Sequence, residues 1–119
     1  MVTFDEFRAL ALALPEAAQE PTWEIETLRV RHKIFAMGAP EGDSVTVKAT
    51  PADQAELLAA EPEVFSSARY VGRHGWVSVR LDLVDPEELR DLVTEAWRLT
   101  APKRMVREFD AAADARTNH

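Results

Sequence analysis

The sequence predicts a single α+β domain in which an antiparallel sheet of about four or five strands packs against helices on one face. The chain has 119 residues, which is enough for one ordinary domain and too few for two. Apolar residues recur at helical spacing near both ends of the chain, whereas in the middle they alternate with polar residues as in strands. We therefore expect one domain over residues 1–109, followed by a disordered tail over residues 110–119.

Three helices are predicted from their start and stop signals. The first begins after Thr3, which has a capping-box spacing to Glu6, and it is stopped by Pro15. The second lies within residues 50–62, where a threonine cap precedes a proline in the first turn and a second proline ends the helix. The third lies within residues 85–102 and begins with an aspartate cap, a proline and two glutamates.

The strands are predicted from alternation of apolar and polar residues, after a connector over residues 16–21. The first two strands form a hairpin with His32 and Lys33 at its tip. The strands are predicted at residues 28–31, 34–37, 45–49 and 77–81, with a further short strand at residues 69–71.

The phase of this alternation predicts which strand residues point toward the helices. The residues assigned to the helix-facing side are Leu28, Val30, Val45, Val47, Val77 and Val79. The residues assigned to the opposite face are Arg29, Arg31, Lys48, Trp76 and Arg80. A face with these bases and a tryptophan suits phosphate pairing and base stacking. The more common explanation of such a face is that a half-exposed sheet is polar where it meets water.

Two tryptophans test this strand phase. Trp97 lies on the apolar stripe of the last helix, so we expect it to be buried between that helix and the sheet. Trp76 is out of phase with Val77, so we expect it on the opposite side of the sheet. There it is either exposed beside Arg80 and marks a ligand face, or it is covered by the loop over residues 62–75.

Composition and charge exclude several classes of protein. The chain has no cysteine, so disulfides, cysteine-bound zinc and thiol catalysis are excluded. No apolar run approaches the roughly 20 residues of a membrane-spanning helix, and the N-terminal residues lack a signal-peptide pattern. The net charge of −7 is not typical of a general nucleic-acid binder. We expect a monomeric cytoplasmic protein without a cofactor or a metal.

One loop histidine is the only candidate centre for catalysis. His74 lies near Arg69 and Arg73 in a glycine-flanked loop. A nucleophile, a second acid–base group and a cofactor motif are all missing from its sequence context. A solvated histidine is therefore the favoured interpretation, and an enzyme is the third of three functional hypotheses.

Charged residues of the last helix and of the segment after it have structural explanations. Glu87, Asp91 and Glu95 recur every four residues, which predicts a solvated stripe rather than a cation site. Lys103 and Arg104 follow the predicted C-terminal end of this helix, where cations complement the helix dipole.

Several short motifs are distributed over residues 3–106, at residues 7–16, 31–36, 70–72, 75–77, 80–82, 96–99 and 101–104. Their order and spacing resemble those of the MmcQ/YjbR-like family of small bacterial proteins. Members of this family share a compact α+β fold similar to the frataxin-like (CyaY-like) arrangement and carry the label of a DNA-binding "double wing". The resemblance implies both for this chain, whose His32 and Lys33 replace a glycine pair common at the family's first hairpin tip.

The leading hypothesis is a non-enzymatic binding module that holds DNA through a basic sheet face and hairpin wings. The basic residues would meet phosphates, and Trp76 or Tyr70 would stack on bases. Two alternatives stay open: the same face binds an acidic protein or a small anion, or the chain is an enzyme centred on His74. The candidate site residues are Arg29, Arg31, Lys33, Lys48, Tyr70, Arg73, His74, Trp76, Arg80, Lys103 and Arg104.

Overall fold

The computed structural model describes residues 1–22, 24–69 and 71–117, which form a sheet of six antiparallel strands in the order β1-β2-β3-β4-β6-β5. The predicted α+β class is confirmed, with more strands than the sequence indicates. The elements are α1 (Phe4–Leu12), β1 (Ala17–Thr22), β2 (Ile25–Val30), β3 (Lys33–Gly38), β4 (Ser44–Val47), α2 (Pro51–Ala60), β5 (Phe65–Ser67), a single 3-10 turn (Gly72–His74), β6 (Val77–Arg80), α3 (Pro86–Thr100) and α4 (Lys103–Thr117).

The starts of three helices follow the predicted caps. The Thr3 hydroxyl accepts a hydrogen bond from the Glu6 N–H at 3.1 Å, and the Glu6 carboxylate accepts one from the Thr3 N–H at 3.4 Å. Thr50 caps α2 and Asp85 caps α3 in the same way, each accepting from backbone N–H groups of the first turn. Each cap satisfies N–H groups that have no partner within the helix.

The core lies between one face of the sheet and the helices α1 and α3. All six residues assigned to the helix-facing side are at most 1% exposed, so the strand phase is confirmed: Leu28, Val30, Val45, Val47, Val77 and Val79. Trp97 of α3 is fully buried against them, and its indole N–H donates to the Pro15 carbonyl at 3.0 Å. This bond supplies the partner that a buried indole requires.

Two strand assignments from the sequence are wrong. The connector predicted over residues 16–21 is largely strand β1, which pairs with β2 along its whole length at the edge of the sheet. Arg69 and Val71, the described residues of the short strand predicted at residues 69–71, lie in turns, and the strand forms earlier, at β5, where the buried Phe65 pairs with Val79. After β5 the Gly72 N–H donates to the Ala68 carbonyl at 2.8 Å, and this turn takes the chain out of the sheet.

The tail predicted to be disordered is helical as far as Thr117, because the chain starts a new helix directly after α3. The Val106 N–H donates to the Pro102 carbonyl at 3.1 Å, so the proline that ends α3 also begins α4. The ring of Phe109 packs on Trp97 at a centroid distance of 5.0 Å, and Arg98 pairs with Asp110 at 2.7 Å. Contacts with α3 thus hold α4 in place.

Candidate functional site

The face of the sheet that points away from the core, called here the outer face, has a central row in which four of the six side chains are short and carry a hydroxyl. Strand register aligns the row from β1 to β5: Glu20, Thr27, Met37, Thr46, Ser78 and Ser66. The neighbouring outward positions hold Ile25, Arg29, Ile34, Ser44, Trp76 and Arg80. Directly paired residues share a face of the sheet, so these side chains form one continuous surface.

The helices leave this surface open. Helices α1 and α3 pack against each other and against β1 to β4 on the core side. Helix α2 lines a groove together with α3, and α4 packs on α3 through Phe109. All four helices are therefore on one side, and within the described ranges no helix covers the outer face.

The outer face keeps apolar side chains in partial contact with water. Trp76, Met37 and Ile34 are partly exposed and do not belong to the packed core, and Ile25 is 44% exposed. Val77, the residue after Trp76, is fully buried on the other side, as the alternation predicts. Met37 and Ile34 were not among the predicted site residues. They are three residues apart, so strict alternation would put them on opposite faces, and a register shift in the pairing of β2 with β3 brings both to the outer face.

The arginines of the outer face are neutralised by neighbouring carboxylates. The Arg29 Nε lies 3.1 Å from a Glu20 carboxylate oxygen and donates to the Thr27 hydroxyl at 3.0 Å. Arg80 pairs with Asp82 through two hydrogen bonds of 2.7 and 3.1 Å. The hydrogen bonds from Arg80 hold the pKa of Asp82 below its ordinary value. The predicted basic face is thus close to neutral.

Arg31 is not on the outer face; it forms the hairpin turn. The turn between β2 and β3 consists of Arg31 and His32, with φ of 50° and 69°, whereas Lys33 is the first residue of β3. The predicted tip at His32 and Lys33 is therefore one residue too late. Positive φ at both central residues is the geometry of the type I′ turn, one of the two common two-residue hairpin turns, and glycine or asparagine usually supplies it.

Arg31 also has a carboxylate partner. Its guanidinium donates to Glu16 at 2.7 and 3.1 Å, and Glu16 itself has a positive φ of 55°. These hydrogen bonds hold the pKa of Glu16 below its ordinary value. A cleft of about 460 Å³ connects this pair with Arg104 of α4. The Arg104 Nε in turn lies 3.2 Å from a carboxylate oxygen of Glu108.

Lys103 and Arg104 follow the C-terminal end of α3, as predicted, but they also form the first turn of α4. The dipole of α3 favours these cations and that of α4 disfavours them, so helix dipoles alone do not explain the pair. With Arg29, Arg31 and Lys33 of the hairpin, this pair gives one corner of the molecule a local excess of cations.

The remaining predicted site residues are dispersed. Lys48 lines the groove between α2 and α3. Arg73 and His74 are exposed on the 3-10 turn, where the Arg73 Nε lies 3.3 Å from the His74 Nε2. Arg69 lies in the turn before it, and Tyr70 is outside the described residues. The structure therefore brings together Arg29, Trp76 and Arg80 on one face and Arg31 with Arg104 at one corner, but not all the candidates.

Metal and membrane sites are absent from the part of the chain that the structure describes. No group of three histidine, aspartate or glutamate residues there is placed to hold a metal ion. No helix there is both long enough and apolar enough to cross a bilayer. In the stripe of α3 that the sequence predicts to be solvated, Glu95 is paired with Arg98.

Comparison with known proteins identifies the family. The YjbR family model matches residues 12–99, from the last residue of α1 to the penultimate residue of α3. The chain belongs to the YjbR family. The match confirms the resemblance that the sequence motifs indicate, and α4 with its basic pair lies outside the matched segment.

Relatives of this YjbR-family chain include the uncharacterized proteins Rv2570 of Mycobacterium tuberculosis and Mb2600 of Mycobacterium bovis. Each is 35% identical over 124 residues, covering 92% of this chain and 96% of the relative. A solved structure, that of the Deinococcus radiodurans protein DR2400 with its DUF419 domain, superposes with a TM-score of 0.77 at 24% identity. The superposition covers 83% of this chain and 78% of that one. At this identity the similarity supports the fold alone.

Proposed function

We propose that this YjbR-family chain is a non-enzymatic recognition domain that binds another protein across its outer face. One observation carries the proposal: the sheet exposes part of Trp76, Met37 and Ile34 on a surface that the described helices leave open. Tryptophan, methionine and arginine are enriched in protein interfaces, and tryptophan and arginine dominate their binding energy. The short hydroxyl side chains of the central row allow a partner to approach the sheet closely.

The charge arrangement favours a protein over a nucleic acid at this face. Binding to DNA depends on cations that release counterions from phosphates. Arg29 and Arg80 already pair with Glu20 and Asp82, so phosphates would have to displace carboxylates at both positions. The net charge of −7 adds a general repulsion. A protein partner with an apolar centre and a polar rim would not have to displace these carboxylates, and it need not carry a large negative charge.

A nucleic acid is the second candidate, and the corner between the hairpin turn and α4 favours it. Five cations there outnumber three carboxylates: Arg29, Arg31, Lys33, Lys103 and Arg104 against Glu16, Glu20 and Glu108. The hairpin turn is also the position of the first wing that the sequence resemblance implies. This candidate requires the paired arginines to exchange their carboxylates for phosphates.

The protein-binding proposal is tested by photocross-linking in living cells of the organism whose genome encodes this chain. A photoreactive residue replaces Thr46 at the centre of the outer face, and in a control chain it replaces Arg90, which is exposed on α3. We expect a discrete protein adduct from position 46, no such adduct from position 90, and loss of the adduct when Trp76→Ala is added. Equal adducts from both positions, or none from position 46, would contradict the proposal.

Two binding measurements then separate the candidates. With the cross-linked partner purified, Trp76→Ala should weaken the complex by about 10-fold or more, whereas Arg31→Ala with Arg104→Ala should leave it unchanged. Fluorescence anisotropy with duplex and single-stranded DNA at low salt should detect no complex at micromolar protein. A salt-sensitive DNA complex that the Arg31 and Arg104 variant abolishes would instead support the second candidate.

A further inference from the structure

The groove between α2 and α3 has no role in the proposed function. Its floor is apolar and comes from both helices: Leu57 and Ala60 of α2, and Leu92 and Leu99 of α3. Its volume is about 310 Å³, at the lower end of the range of small-molecule sites. We propose that this groove binds a small organic cation, consisting of a compact apolar group that carries one ammonium.

The packing of α2 leaves apolar surface for such a ligand to cover. None of the ten residues of α2 is buried, although a helix on a globular domain normally buries an apolar stripe. Leu57 is only partly buried, and Leu99 on the opposite wall is 42% exposed. A ligand between them would remove both side chains from water, which is a favourable contribution proportional to the apolar area buried.

The charges at the rim select a cation. Asp53, Glu56 and Glu95 line the groove together with one base, Lys48. Glu95 is paired with Arg98, whereas Asp53 and Glu56 have no ion-pair partner among the described residues. The net charge of −7 strengthens the negative potential around them. An anionic ligand would have to approach these carboxylates to reach Lys48.

The helix geometry explains how one ligand contacts both kinds of group. Asp53 and Glu56 are three residues apart, and Ala60 follows Glu56 by four, so these residues lie along one side of α2. Leu57 is four residues from Asp53 and adjoins that side. An ammonium held between the two carboxylates therefore leaves its apolar group over Leu57, Leu92 and Leu99.

The test uses three probes of similar size, phenethylamine, 2-phenylethanol and phenylacetate, titrated into the full chain and followed by amide NMR shifts. We expect phenethylamine to bind with a dissociation constant of about a millimolar or less and to shift amides of α2 and α3. We expect the alcohol to bind more weakly and phenylacetate to leave these amides unshifted. Equal binding of phenylacetate, or no shift with phenethylamine up to about 10 mM, would overturn the proposal.

Variants locate the site. Asp53→Asn with Glu56→Gln should weaken phenethylamine binding about 5-fold or more, and Leu99→Lys should block it by placing a competing ammonium over the floor. Glu41 is an exposed carboxylate outside the groove. Glu41→Gln is therefore the matched control and should leave the affinity for phenethylamine unchanged. An unchanged affinity in the double variant would refute the assignment. Trp76→Ala should leave amine binding intact, so the result is independent of the outer-face proposal.

Discussion

The core face and the outer face of the sheet are built from the same strands, but their side chains serve different purposes. On the core face, Val47 and Val79 are fully buried on the helix side of the sheet. On the outer face, their neighbours Thr46 and Ser78 are directly paired and remain in contact with water beside Trp76. Alternate residues of one strand thus divide between holding the fold together and presenting a surface, so each face can be changed separately.

The largest expected effect is on the core side, at Trp97. Trp97→Ala removes a fully buried indole, its hydrogen bond to Pro15 and the surface on which Phe109 packs. We expect the free energy of unfolding, measured with urea, to fall by about 3–5 kcal/mol. A loss below about 1.5 kcal/mol would mean that the core face does not depend on this residue as described.

A second variant strains the backbone of the loop that precedes Trp76. Gly75 has a φ of 101°, and a Cβ there would lie 2.6 Å from the Ala49 carbonyl oxygen. We expect Gly75→Ala to lower the free energy of unfolding by about 2–4 kcal/mol, because both the backbone conformation and the close contact resist a side chain. Gly42→Ala is the control and should cost less than about 1 kcal/mol. Similar losses in both variants would argue against the special role of Gly75.

The hairpin turn offers a change that should increase stability without touching the core. His32 has a φ of 69°, which is unfavourable for a residue with a side chain. We expect His32→Gly to raise the free energy of unfolding by about 1 kcal/mol, since glycine suits this turn geometry. Lys33→Gly, one residue later in β3, should destabilise the protein instead. A loss of stability with His32→Gly would show that the turn is held by side-chain contacts.

The smallest expected effect is a pH dependence at Glu88 on the helix side. Burial, together with the contact with Glu61, raises the pKa of Glu88 above its ordinary value of 4.5. The folded protein therefore binds a proton at Glu88 more readily than the unfolded chain does. As the pH rises from the ordinary pKa of Glu88 through its raised pKa in the folded protein, the free energy of unfolding falls. We expect Glu88→Gln to stabilise the protein by about 0.5 kcal/mol at pH 7 and by less at pH 4. An equal effect at both values would contradict this.

Local signals explain why much of the fold could be predicted from the sequence. Thr3, Thr50 and Asp85 each cap a helix through hydrogen bonds to residues two or three positions away. The phase of β4 and β6 likewise follows from alternation within a few residues. Trp97 could be assigned to the core because its helix has a single apolar stripe.

The elements that sequence reasoning missed depend on distant contacts. Strand β1 contains Pro21, which disfavours a central strand, but β1 is an edge strand and pairs only with β2. Helix α4 is held by the packing of Phe109 on Trp97. At the candidate site, Arg29 could be identified as a base, but its partner Glu20 lies on β1, which the sequence did not reveal as a strand. The local sequence therefore did not indicate that Arg29 would be neutralised on the outer face.

The most direct test of the division between the two faces is urea unfolding of Trp76→Ala beside Trp97→Ala. If Trp76 belongs to a surface that presents side chains, its loss should cost no more than about 1.5 kcal/mol and leave the denaturant slope unchanged. The same substitution at Trp97 should cost about 3–5 kcal/mol. A loss at Trp76 as large as that at Trp97 would place Trp76 in the structural core and contradict the assignment of the outer face to binding.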